Sequence, residues 1–252
     1  MKFGVCSKIE NAQIVADAGF DYIEPFLTDL ALADEATYQQ MVGALNKSGL
    51  RLDVACLFLP GTFRLTGPDA DLLPVEAYLK TCFDRAAALG TKIQVFGSGG
   101  ARNVPEGFSK EKATEQLVKF LKLAAKYAAK YEIKIAIEPL CKKECNIINS
   151  VAEAHELAIK VDLPNVGVLA DWYHMGNDNE GVAGLIAAKD MLLHCHIARL
   201  IHRTPPMLSD DDDYSMFFNA LKEIGYNGAL SVESNGGLDL ISESLKLFKE
   251  FL

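Results

Sequence analysis

The chain has 252 residues, half of them hydrophobic and 23% charged, and carries a net charge of −9. This length suits one large α/β domain that buries about three-quarters of its unfolded surface without needing disulfides. The acidic balance, with no basic stripe, argues against a nucleic-acid partner, and apolar runs well short of the roughly 20 residues a span needs argue against a membrane one.

Met1-Lys2-Phe3 leads straight into a strand, leaving no room for a secretory leader. Phe3–Cys6 is followed by a periodic helix over about residues 9–18 that stops at Gly19. Tyr22–Glu24 is the second strand, with a helix near 34–48 closed by Gly49. Leu52–Cys56 is the third, then a Pro/Gly-containing loop and a helix over about 74–89 ending at Gly90. Lys92–Phe96 is the fourth, followed by a Gly-rich loop and a long helix over about 109–131. Four further strands end at Glu138, Asp171, His196 and Glu233. Helices near 150–160, 179–188, 213–224 and 238–251 follow them in turn. Glycine after a helix favours the left-handed stop. Strict strand–helix alternation predicts parallel pairing with right-handed crossovers. Eight such units predict a single-domain (β/α)8 TIM barrel over residues 1–252, with its site at the C-terminal rim.

Four strands therefore end in a ligand-capable side chain. Three carboxylates and an imidazole at one rim repel one another unless a cation joins them. Mixed oxygen and nitrogen donors suit Mn²⁺, Co²⁺, Mg²⁺ or Zn²⁺, and a donor set without thiolates argues against a structural zinc. His174, three residues past Asp171, reads as a substrate contact, and Glu144 as an acid in reach of the pocket. His194 faces inward but deeper than His196 and reads as a hydrogen-bonded core residue. Glu24 ends its strand at the same rim, where it can bond a ligand or the substrate. Gly97-Ser98-Gly99-Gly100 lacks P-loop and dinucleotide spacing and reads as a substrate-side loop. Asp210 to Asp213 read as a helix N-terminus complementing the dipole. The six cysteines, Cys6, Cys56, Cys82, Cys141, Cys145 and Cys195, show no framework of spacings. They read as reduced thiols of a cytoplasmic protein.

Ile137-Glu138-Pro139-Leu140, Asp171-Trp172-Tyr173-His174-Met175, His194-Cys195-His196-Ile197 and Ser231-Val232-Glu233 give the chain its resemblance to a known family. It resembles the xylose-isomerase-like barrels, and within them the ketose 3-epimerases of the tagatose/psicose (allulose) type. The resemblance implies that Glu138, Asp171, His196 and Glu233 hold one divalent metal, Mn²⁺ first, with Co²⁺, Mg²⁺ or Zn²⁺ as alternatives. It also implies substrate contacts at Glu144 and His174. The family's substrate arginine, six residues after the strand-seven histidine, falls on His202, with Arg203 beside it and Arg199 nearby. The implied activity is sugar epimerisation or isomerisation, foremost 3-epimerisation through a cis-enediolate with Glu138 and Glu233 as acid and base. Hydroxypyruvate or aldose–ketose isomerisation, inosose-type dehydration and non-catalytic sugar binding are the alternatives. The expected partner is a small sugar or keto-acid, with self-association into a homo-oligomer left open.

Overall fold

The computed structural model describes residues 1–252. Its strands are β1 (Lys2–Cys6), β2 (Tyr22–Glu24), β3 (Val54–Ala55), β4 (Ile93–Phe96), β5 (Lys134–Ile137), β6 (Val166–Asp171), β7 (Leu192–Ile197) and β8 (Ala229–Val232). They pair in the order β2-β1-β8-β7-β6-β5-β4-β3, and every pair is parallel. Bridges from Tyr22 to Arg51 and from Phe26 to Cys56 bring β2 against the β3 segment and close the (β/α)8 barrel. Both faces of each strand are covered, which is why the strands read as continuous apolar runs.

The helices form the outer ring: α1 (Ala12–Asp17), α2 (Leu27–Leu32), α3 (Glu35–Ser48), α4 (Leu73–Ala88), α5 (Gly99–Arg102), α6 (Lys110–Ala129), α7 (Val151–Val161), α8 (Trp172–Asn177), α9 (Ala183–Ala187), α10 (Ser215–Glu223) and α11 (Ile241–Phe251). Asp34, Ser109 and Ser150 cap α3, α6 and α7 by accepting from the N–H groups of Thr37, Lys112 and Glu153. The main apolar core lies between sheet and helices. A smaller one fills the barrel itself, built from Cys6, Tyr22, Val54, Cys56, Val95, Ala136, Leu169 and Ala229. There the Tyr22 ring lies against Gly4, where any Cβ would overlap it. No helix is long and apolar enough to cross a membrane.

Three local expectations change. The short helices α2, α5 and α8 fill stretches expected to be loop, and the helix near 179–188 shrinks to α9, Ala183–Ala187. The acidic run does more than start a helix. Asp213 accepts from Ser215 N at 2.9 Å, close to the start of α10. Asp212 instead accepts from Leu200 N at 2.7 Å, and Asp210 accepts from Met207 N at 2.7 Å and from the Tyr214 hydroxyl at 2.7 Å. These bonds fold the long loop after β7 back over the rim.

Candidate active site

Strand register places the four strand-end groups together. Asp171 pairs with His196 across β6 and β7, and Glu233 follows β8 with its N–H donated to Ile197 O at 3.1 Å. Glu138 follows β5 and donates its N–H to Phe96 O at 3.1 Å. His196 Nδ1 lies 3.1 Å from Glu138 Oε1 and 3.5 Å from Glu233 Oε2. Donor atoms of Glu138, Asp171, His174 and Glu233 all lie within 4.8 Å of one another. The pocket above them holds about 210 Å³ and is bordered by Leu57, the Gly97–Gly100 loop, Leu140, Glu144 and Arg203.

Burial in one small volume sets the charges at odds. Desolvation raises Glu138, and the neighbouring Glu233 charge raises it further. Burial pushes Asp171 up to about 7, opposed by Arg203 and reinforced by Glu233 and Glu138. Burial would raise Glu233 as well, but Arg203 and His196 pull it well below the usual carboxylate range. Burial, then the Arg203 charge, holds His174 down at about 3, so its ring is neutral. Its Nδ1 accepts from Cys141 N at 3.1 Å, which leaves the Nε2 proton facing the pocket.

Of the basic candidates in the loop after β7, the structure brings only Arg203 to the pocket. His202 is exposed and does not line it, and Arg199 turns toward Asp210 at 3.4 Å. His202 and Arg203 both adopt left-handed backbone, at φ 67° and 50°. This double reversal turns the arginine inward one residue after the position the resemblance implied. Its guanidinium pairs with Glu233, lies 3.4 Å from Glu144 Oε1 and 3.7 Å from Asp171 Oδ2, and stacks on Tyr173. Glu144 is exposed along much of its side chain but reaches the same pocket.

Beneath the pocket lies a buried network whose connections strand-end reasoning does not supply. Glu24 Oε1 lies 2.9 Å from His196 Nε2 and its Oε2 lies 2.9 Å from His194 Nε2. Ser231 donates to Glu24 Oε2 at 2.5 Å, and Tyr22 OH lies 2.6 Å from Ser231 Oγ. His194 is therefore bonded in the core. Arg102, fully buried on α5, donates to Phe96 O at 2.9 Å and Glu138 O at 2.7 Å, joining the ends of β4 and β5. Gly97 lies so close to Glu138 that a Cβ there would overlap the carboxylate. No residue-type signal marks Arg102. Cys6 and Cys56 also lie beside Glu233, so thiols border the oxygen and nitrogen donors after all.

These residues fit a divalent cation. Asp171 Oδ2 is buried without a hydrogen-bond partner, three carboxylates converge, and the Arg203 guanidinium already rests on them as a positive charge. The His196 imidazole, its Nδ1 turned toward Glu138 and Glu233, completes a donor set of the kind that takes borderline or hard divalent ions.

Comparison with known proteins agrees with this architecture. The sequence model of the xylose isomerase-like TIM barrel family matches residues 12–251. The L-ribulose 3-epimerase of Methylomonas sp. (strain DH-1) is 31% identical over 222 residues, covering 87% of this chain and 75% of that protein. The 2-oxo-tetronate isomerase of Haemophilus influenzae is 27% identical over 246 residues, covering 92% of this chain and 90% of that one. The crystal structure of the D-allulose 3-epimerase from Methylomonas sp. in complex with D-allulose superposes with a TM-score of 0.86 at 26% identity. That match covers 100% of this chain and 97% of the other.

Proposed function

The chain belongs to the xylose isomerase-like TIM barrel family, and from that premise we propose that it is a divalent-metal-dependent sugar epimerase that inverts C3 of a ketose. The observation that carries this reading is the pair Glu138 and Glu233. They come from β5 and β8, their carboxylates lie within 4.8 Å of each other, and both approach His196 Nδ1.

Inverting a carbon beside a carbonyl requires loss of its proton on one face and return on the other. Glu233, held ionised by Arg203 and His196, is suited to take the proton. The C–H electron pair then forms the C2–C3 double bond of an enediolate, and charge moves to the C2 oxygen. Glu138, which follows β5 while Glu233 follows β8, returns a proton to the opposite face. The roles exchange in the reverse direction. Glu138, Asp171, His196 and Glu233 would hold the cation, Mn²⁺ before Co²⁺, Mg²⁺ or Zn²⁺. When bound, it polarises the carbonyl and offsets the charge developing on its oxygen. The neutral His174 offers its Nε2 proton to a substrate oxygen, and Arg203 and Glu144 bind hydroxyl or carbonyl groups at the mouth.

Incubation with candidate ketoses and Mn²⁺ in D2O tests the reading, which expects deuterium at C3. A second reading is isomerisation of a small keto-acid. It is favoured by the nearly full-length match to the 2-oxo-tetronate isomerase, which covers 90% of that protein. It predicts no exchange into the ketoses and, with a 2-oxo-3-hydroxy acid, deuterium at C2 as the carbonyl moves to C3. Binding without label at any carbon of either substrate class would refute both.

A further inference from the structure

Cys6 ends β1, and Cys56 follows β3 on the other side of β2. Their sulfur atoms and the Glu233 carboxylate all lie within 4.8 Å of one another. Both thiols are buried, yet Cys6 borders a second opening of about 230 Å³, lined also by Ser7, Asn11, Phe26 and Ser234. The proton-transfer roles given above use neither sulfur.

Two adjacent thiols can form a disulfide or share an ion, and strand geometry separates the two. Cys6 pairs with Glu24, and Cys56 bridges to Phe26, so a whole strand lies between their backbones. Positions two strands apart in an eight-stranded barrel are about 9 Å apart, given about 4.8 Å per strand. A disulfide needs Cα atoms within about 6.8 Å. An ion with metal–sulfur bonds of about 2.3 Å instead joins sulfur atoms about 3.8 Å apart. The side chains already converge closely enough for an ion, whereas the backbones are too far apart for a disulfide.

We propose that Cys6, Cys56 and Glu233 form a second cation site, selective for a thiophilic divalent ion such as Zn²⁺ or Cd²⁺. Three protein donors leave a fourth tetrahedral position facing the Cys6 opening. His196 does not supply it, because its Nε2, 3.7 Å from Cys6 Sγ, is bonded to Glu24 at 2.9 Å. The thiolates draw soft ions, while the carboxylate and imidazole cluster draws harder ones. Glu233 belongs to both sets, so a soft ion on the sulfur side takes a carboxylate from the other site. Thiophilic ions are therefore antagonists of the harder metal. The sulfur site stands on its own geometry and does not depend on the sugar reaction.

Cd²⁺ titrated alone into the intact protein tests it through ultraviolet thiolate-to-cadmium absorption. The band is expected to saturate at about one equivalent. It should be lost in Cys6→Ser/Cys56→Ser and retained in Cys141→Ser, which alters the separate Cys141, Glu144 and His174 group. X-ray absorption at the cadmium edge of the unaltered protein needs no variant and is expected to count two sulfur neighbours. No band, a shell of oxygen and nitrogen only, or a band that survives Cys6→Ser/Cys56→Ser would overturn the proposal.

Discussion

Glu24 and His196 are locked together in the barrel interior, with Glu24 Oε1 2.9 Å from His196 Nε2 and both side chains fully buried. This bond commits one ring nitrogen and directs the other, Nδ1, toward Glu138 and Glu233. Outer carboxylates of this kind typically contribute 10- to 100-fold to metal affinity. Glu24→Gln, which keeps the shape but loses the charge, is expected to weaken Mn²⁺ binding by about that factor in calorimetric titration. Unchanged affinity would show that His196 needs no such orientation.

Arg203 places a fixed positive charge on the carboxylates that would receive the cation. Arg203→Ala is expected to tighten Mn²⁺ binding, because a competing charge is gone, while lowering kcat/KM about 100-fold through lost substrate contacts. Metal titration and steady-state kinetics on the same preparation check both directions. Weaker metal binding would contradict the competition.

Gly97 is the contact that allows Glu138 its position. Gly97→Ala is expected to cost about 1–3 kcal/mol of stability, as overpacking does, and to displace the carboxylate. Urea unfolding reads the first effect, and Mn²⁺ affinity the second. A variant with normal values of both would remove Gly97 from the account.

Glu180 lies away from the pocket, accepts from Val151 N at 2.9 Å and is raised by burial to about 7 from an ordinary 4.5. Between those values the folded chain binds more protons than the unfolded one, so this group's contribution to stability falls as pH rises. The loss begins above about 4.5 and is complete above about 7. Glu180→Gln keeps the acceptor oxygen and removes the ionisation. Its melting temperature should exceed that of the parent more at pH 8 than at pH 4.5, and an equal shift at both would contradict the assignment.

The barrel was legible because buried parallel strands are apolar runs and because Gly19, Gly49, Gly90 and Gly225 stop helices, all at positive φ. Helix α2 was not, because Phe26 at its N-cap makes no side-chain cap bond and its six residues show too little periodicity. Glu138, Asp171, His196 and Glu233 stood out because each closes an apolar run, and the structure brings them together. Cys6 and Cys56 carry the same mark, but spacing-based reasoning about cysteines set them aside. The contacts of Glu24 with His194, His196 and Ser231 depend on register between strands distant in sequence, which no local pattern encodes. The inward turn of Arg203 rests on two non-glycine residues in left-handed backbone, a conformation that residue type alone does not announce.

Anomalous diffraction from crystals soaked in Mn²⁺ addresses the shared-cation claim most directly. One peak per chain is expected, within bonding distance of Glu138, Asp171, His196 Nδ1 and Glu233. No peak there, or manganese held at a place that leaves those four side chains free, would contradict it.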